Sequence, residues 1–183
     1  MSTRRIAYTG LFIALAVALG FALVAVPNVE MITATIFIAG WVMGPAMGAL
    51  VGVIAETIYS GMNPVGSGFL FPPLLIAQVI SYGFIGFAGG VLRRGEILFL
   101  ASKPGYVALG IAGALLTLLY DVLTTLSYPF SAGFTGAQIW TTLIAGLGLS
   151  AVHVVVNFFI FSILVPQILK SLYSQLGLTE VIR

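Results

Sequence analysis

Residues 31–61 read MITATIFIAGWVMGPAMGALVGVIAETIYSG, and the division of this stretch decides the fold. Both halves are apolar, yet each is shorter than the roughly 20 residues a helix needs to cross the hydrocarbon core of a membrane. Gly44-Pro45 separates them with almost no loop. Proline suits the first turn of a new helix, where its missing N–H is no loss. The stretch therefore reads as two helices, 31–43 and 45–61, joined by a tight turn and either tilted or shielded by neighbours. The alternative is one kinked helix.

The rest of the chain has the same character. Of its 183 residues 60% are hydrophobic and 7% charged, and the mean hydropathy is +1.17. A soluble domain carries about 25% charged residues to present a wetted surface. Seven Lys+Arg and five Asp+Glu cannot cover one. That excludes a soluble enzyme, a nucleic-acid binder and a disordered chain. The net charge of +2 comes from scattered cations and forms no nucleic-acid footprint. The absence of cysteine excludes disulfides, thiolate metal sites and cysteine nucleophiles. Further apolar stretches lie at roughly 6–26, 70–92, 104–127 and 138–168, the last continuing into the interface near Lys170 or Tyr173. With two helices in 31–61 the chain has six spans; with one it has five.

The cations discriminate between these counts. With six spans and the N-terminus inside, Arg4, Arg5, Arg93, Arg94, Lys103, Lys170 and Arg183 all fall on the cytoplasmic side. The outer loops, near 27–30, 62–69 and 128–137, hold no cation. Retention of Lys and Arg inside is the usual determinant of topology, and a five-span arrangement breaks it. Arg4 and Arg5 could open a signal peptide, but the apolar run continues to Ala25 with no polar region after any small-residue site, so it reads as an uncleaved span. The expected fold is an all-α integral membrane protein: six transmembrane helices in one domain, 1–183, with cytoplasmic N- and C-termini.

Polar residues inside the spans point to a site. A carboxylate at mid-membrane costs about 2.5–3.5 kcal/mol on insertion scales and faces a cavity or a partner. Glu56 and Asp121 are the two acids inside spans, both in outer halves; Glu30 sits at the outer end of the second span, and Glu96 and Glu180 are cytoplasmic and solvated. Residues three and four apart share a helix face. This spacing gives the stripes Gly52-Glu56-Tyr59-Asn63, Gln78-Ser81-Tyr82, Thr117-Asp121-Thr124-Tyr128 and Thr142-Gly146-Ser150-His153-Asn157. Lipid cannot satisfy such groups, so the stripes turn inward, and an outward-facing polar cavity is expected. The competing reading of the Ser, Thr, Asn and His positions is interhelical hydrogen bonding, worth about 0.6 kcal/mol each. Tyr120 and Trp140 read equally as an interfacial aromatic belt. The Gly-rich loops 63–68 and 131–136 suit either lids or ordinary turns.

A separate pattern marks the first span. Gly10, Ala14, Ala18 and Ala22 recur every four residues on one face. Small residues let helix backbones approach closely in lipid, so this face packs within the chain or docks another membrane protein.

Taken together, the six-span plan, the basic cytoplasmic ends, the Ala-rich first helix, Pro27-Asn28-Val29-Glu30 and Gly44-Pro45 with Gly48 to Gly52 resemble the substrate-binding S component of energy-coupling factor (ECF) vitamin transporters. The resemblance implies a multi-pass protein of a prokaryotic plasma membrane that binds a vitamin or precursor and needs no cofactor or metal of its own. It implies that Ala14, Ala18 and Ala22 dock a transmembrane coupling subunit, which two ATPases energise. No Gly-Lys pair, hence no phosphate-binding G-x-x-x-x-G-K-[ST] loop, occurs in the chain. It also implies an outer-half pocket from the last three helices, which brings in Gln78, Tyr82, Asp121 and Thr142. With the stripe residues Glu56, Asn63 and His153 these form the candidate ligand-binding set. Pro-Asn-Val-Glu is similar to members associated with cobalamin or its precursors, although the first outer loop is too short for the long lid some members carry. Two other classes compete. An intramembrane protease would use Ser150 and His153, but these lie three apart on one helix and there is no second histidine. A non-catalytic assembly subunit would leave Glu56 and Asp121 without a role.

Overall fold

Ile32–Trp41 is buried without interruption, from Ile32 and Thr33 through to Trp41. An ordinary amphipathic helix buries one stripe; this one has protein on every side. The computed structural model describes residues 3–95, 100 and 102–175. Within it run α1 (Thr3–Leu23), α2 (Ile32–Met43), α3 (Pro45–Gly61), α4 (Pro72–Leu92), α5 (Lys103–Ser131), α6 (Gly136–Phe159) and α7 (Val165–Gln175). Short 3-10 turns occupy Gly68–Leu70 and Arg93–Gly95, and a π-turn, Ile160–Leu164, joins α6 to α7. The described residues contain no strand.

The 31–61 stretch folds as two helices. Gly44, alone between them, takes φ +94°, a conformation costly for any residue with a Cβ. The chain doubles back there: a Cβ on Gly48 would sit 2.3 Å from the Gly40 Cα. In one continuous helix residues eight apart are about 12 Å apart. The hairpin then packs backbone to backbone on α4. A Cβ on Gly40 would meet the Gly86 carbonyl oxygen at 1.9 Å, and one on Gly52 the Tyr82 carbonyl at 2.1 Å. Where no side chain intervenes, dispersion between main chains replaces the hydrophobic effect as the packing force in lipid.

Four helical segments are long and apolar enough to cross a membrane: Thr3–Leu23, Pro72–Gly95, Lys103–Ser131 and Gly136–Gln175. α2, with 12 residues, is about 18 Å long and does not span by itself. Its neighbours shelter it from lipid, so it has no need of full length. Outside the core the surface is apolar, with Leu11, Ile80, Leu115, Leu147 and Leu149 all exposed, as a lipid-facing surface requires.

The last segment is continuous over 40 residues, past the expected end near Tyr173. Pro166 lacks the N–H that an α-helix would direct at Ser162, and the π-turn sits at that point, with the Val165 N–H reaching Ile160 O. The bulge delivers Phe161 into the core, 5.0 Å ring to ring from Phe37. At the same end Trp41 Nε1 donates to Tyr173 OH (3.2 Å), and Lys170 Nζ donates to Tyr106 OH. Arg4, Arg5 and Arg93 also gather there, around one cavity. Glu96, Glu180 and Arg183 lie outside the described residues.

Candidate functional site

The turn after α1 builds one wall of the site. Val26 N–H closes on Leu23 O (2.8 Å), Asn28 takes φ +58°, and the chain enters α2 with Glu30 aimed back into the protein. Glu30 Oε2 accepts the otherwise orphaned N–H of Thr33 (2.8 Å) at the start of α2, where a negative charge also faces the positive end of the helix dipole. Its Oε1 accepts from Asn157 Nδ2 (3.0 Å) and lies 3.5 Å from His153 Nε2. The other ring nitrogen, Nδ1, lies 2.8 Å from Asp121 Oδ1. A carboxylate oxygen accepts, so the Nδ1 proton faces Asp121. One imidazole thus stands between two carboxylates, from the 24–30 turn and from α5, all three at most sparsely exposed.

Beside this cluster is a cavity of about 230 Å³. Glu30, Asp121 and His153 supply its charged side, and Tyr59, Tyr82 and Tyr120 its aromatic side. The rings are in mutual contact: Tyr82 and Tyr120 at 5.1 Å, Tyr120 edge-on to His153 at 6.0 Å. Behind them Ser60 Oγ donates to Gln78 Oε1 (2.8 Å), and Gln78 Nε2 donates to Tyr120 OH (3.3 Å), which orients the phenol. Asp121 Oδ2 and His153 Nε2 are buried without a hydrogen-bond partner. Buried polar atoms in this condition are costly.

Residues 4–172 match the family model described as "ECF transporter, substrate-specific component". The chain belongs to this family. It is the substrate-binding membrane subunit of an ECF transporter, a multi-pass protein that works with transmembrane and ATPase components on a small-molecule substrate. Members are transporter subunits and not enzymes. No curated protein and no solved structure matches the chain.

Of the ligand-binding residues expected in this S component, Tyr82, Asp121 and His153 line the cavity, and Gln78 stands one hydrogen bond behind it. Three do not line it. Glu56, expected to share the cavity with Asp121, is 1% exposed with both carboxylate oxygens unpartnered. It sits one turn deeper on α3 than Tyr59, and the cavity ends at the tyrosines. Asn63 Oδ1 accepts from Val65 N–H (2.9 Å) and shapes the turn after α3. Thr142 donates to Gln138 O within α6 (2.9 Å). The cavity is also walled by α1 and the 24–30 turn.

Glu30, Asn157, Tyr59 and Tyr120 are the residues the candidate set lacked. Asn157 and Tyr59 were visible on the polar stripes. Tyr120 has the sequence signature of a belt residue, and Glu30 that of a residue at the outer end of a span. On α1, Gly10, Ala14, Ala18 and Ala22 are all exposed, and nothing lies within 4 Å of a Cβ built on Gly10. The opposite face of the helix is the packed one, through Thr9, Ala16 and Gly20.

Proposed function

We propose that this S component captures a compact, vitamin-sized ligand in the cavity between Glu30, Asp121 and His153 on one side and Tyr59, Tyr82 and Tyr120 on the other. The observation that carries the proposal is the imidazole held between two carboxylates with unsatisfied atoms against a cavity of about 230 Å³. Two carboxylates favour a ligand with amine, amidine or amide N–H groups and repel a polyanion. The tyrosine faces suit a flat or cationic ring. Small-molecule sites enclose roughly 300–1,000 Å³, and this cavity lies just below that range, so a compact heterocycle fits better than a corrinoid, which is several times larger. Gln78 supports the Tyr120 phenol, and Glu56 is a buried acid beneath the floor. Asn63 and Thr142 are assigned to the outer turn and to α6 itself.

The topology in this reading is six membrane passes, with α2 and α3 as a short hairpin inside the bundle and both termini on the cytoplasmic side of a prokaryotic plasma membrane. The segregation of Arg4, Arg5 and Arg93 to the end opposite the cavity supports it. The cavity then opens outward, and the exposed Ala14, Ala18 and Ala22 face docks the coupling subunit, which two ATPases drive. Purification in mild detergent followed by mass spectrometry of the retained small molecule tests the ligand class. A retained cationic or N–H-rich heterocycle, released from Glu30→Gln protein, is the expected result. A retained polyanion, or equal retention by Glu30→Gln, would overturn the site.

A further inference from the structure

A second cavity, of about 510 Å³, lies at the opposite end of the molecule from the ligand site. Three arginines line it: Arg4 and Arg5 from the first turn of α1 and Arg93 from the turn after α4. Arg93 Nη1 donates to Val42 O (3.2 Å), which leaves the remainder of its planar guanidinium fork to face the cavity. Arg4 Nη2 donates to Tyr8 OH (3.3 Å) and its guanidinium stands 5.5 Å over the Tyr8 ring, held at the rim. No carboxylate is among the described lining residues. Apart from Gln175, the remaining wall is apolar: Leu11 and Phe12 of α1, Val42 and Met43 at the end of α2, and Leu172 of α7. Leu11 is 61% exposed, and Leu15, one turn further along α1, is exposed on the same side, so the apolar wall continues onto the outer surface of the helix.

This is a cationic mouth on a largely apolar slot. A free inorganic anion would use the mouth and leave the slot empty. An amphiphile with a phosphate head and an acyl chain uses both. We propose that the cavity binds one anionic phospholipid, with its phosphodiester against Arg4, Arg5 and Arg93 and the upper part of one acyl chain along Leu11, Phe12, Val42, Met43 and Leu172. The site joins α1 to α2, α4 and α7 at the end where the membrane-spanning elements are otherwise held by Trp41–Tyr173 and Lys170–Tyr106, so the lipid would tie these elements together from outside the protein core. The argument is independent of the ligand cavity and of its assignment.

The full chain, purified in a nonionic detergent, is titrated with phosphatidylglycerol, with phosphatidylcholine and with inorganic phosphate, and lipid adducts and thermal melting are followed by native mass spectrometry and differential scanning fluorimetry. The expected result is a single phosphatidylglycerol adduct that raises the melting temperature, a much weaker phosphatidylcholine adduct, and no response to millimolar phosphate. Each arginine contributes about fivefold to anionic-lipid binding, so the triple variant Arg4→Gln, Arg5→Gln, Arg93→Gln should lose roughly a hundredfold. The triple lysine variant, which keeps the charge, should retain most of the binding and reports on folding independently. Equal binding of the two lipids, or a shift produced by phosphate alone, would overturn the proposal. So would undiminished phosphatidylglycerol binding by the glutamine variant.

Discussion

Replacing Asp121 tests the ligand site most directly, because two substitutions there separate charge from geometry. In the wild type Asp121 Oδ1 meets His153 Nδ1 at 2.8 Å, and Oδ2 has no partner within the protein. Asp121→Ala removes both oxygens and leaves the Nδ1 proton of a buried histidine without an acceptor. Loss of a hydrogen bond to a charged group costs about 1.5–3 kcal/mol, so a drop of several degrees in melting temperature is expected for a chain of this size. Asp121→Asn keeps an oxygen that can accept from Nδ1 at the same position, removes the negative charge and turns the Oδ2 acceptor into an NH2 donor. Its melting temperature should stay close to wild type. Affinity should respond differently. If Oδ2 accepts a donor from the ligand, either variant loses about 1–3 kcal/mol of binding, or roughly 5- to 150-fold in Kd. Isothermal titration calorimetry on the folded fraction, with the small molecule identified from the purified wild type, measures the change. Asp121→Asn protein that binds as tightly as wild type would show that this carboxylate only holds α5 against α6, and the reasoning from the unpartnered oxygen would fail.

Three further outcomes follow from particular contacts. Ala18→Trp places a large ring on an exposed position of α1, so the isolated chain should fold and bind ligand normally while co-purification with the transmembrane coupling subunit is lost; intact complexes would move the docking face elsewhere. Gly86→Ala directs a methyl at the Gly48 carbonyl oxygen, 2.0 Å away, and neither backbone can yield alone. Overpacking of this kind costs about 1–3 kcal/mol or more, and a melting temperature equal to wild type in detergent would contradict the close packing of α3 on α4. Glu56→Gln removes a charge whose two oxygens have no partner to lose, so melting temperature should stay level or rise and affinity stay unchanged, whereas a tenfold loss of affinity would bring Glu56 into the ligand site.

Membrane residence and the helical hairpin at Gly44-Pro45 were legible in the chain itself. Both depend on local quantities, the run of apolar residues and the backbone preferences of two residues, and neither needs a partner from elsewhere in the sequence. The small-residue face of α1 was equally legible, because a four-residue spacing places Gly10, Ala14, Ala18 and Ala22 together whatever the rest of the molecule does, but that it is left exposed was decided by the fold. The length of a span was a poorer guide for α2. Its twelve residues suffice only because α1, α3, α4 and the π-turn region enclose them, and burial by distant neighbours leaves no mark on the local hydropathy. The site shows the same division. Asp121 and His153 stood out because ionisable groups are expensive in lipid, and so did Glu56, yet the price of burial does not say which way a side chain points or at what depth a cavity ends. Glu30 read only as the outer end of a span. Only the fold brings its carboxylate to within 3.0 Å of Asn157, 127 residues away, since the turn at Asn28 directs it inward and the packing of α6 on α5 sets Asn157 and His153 where they meet it.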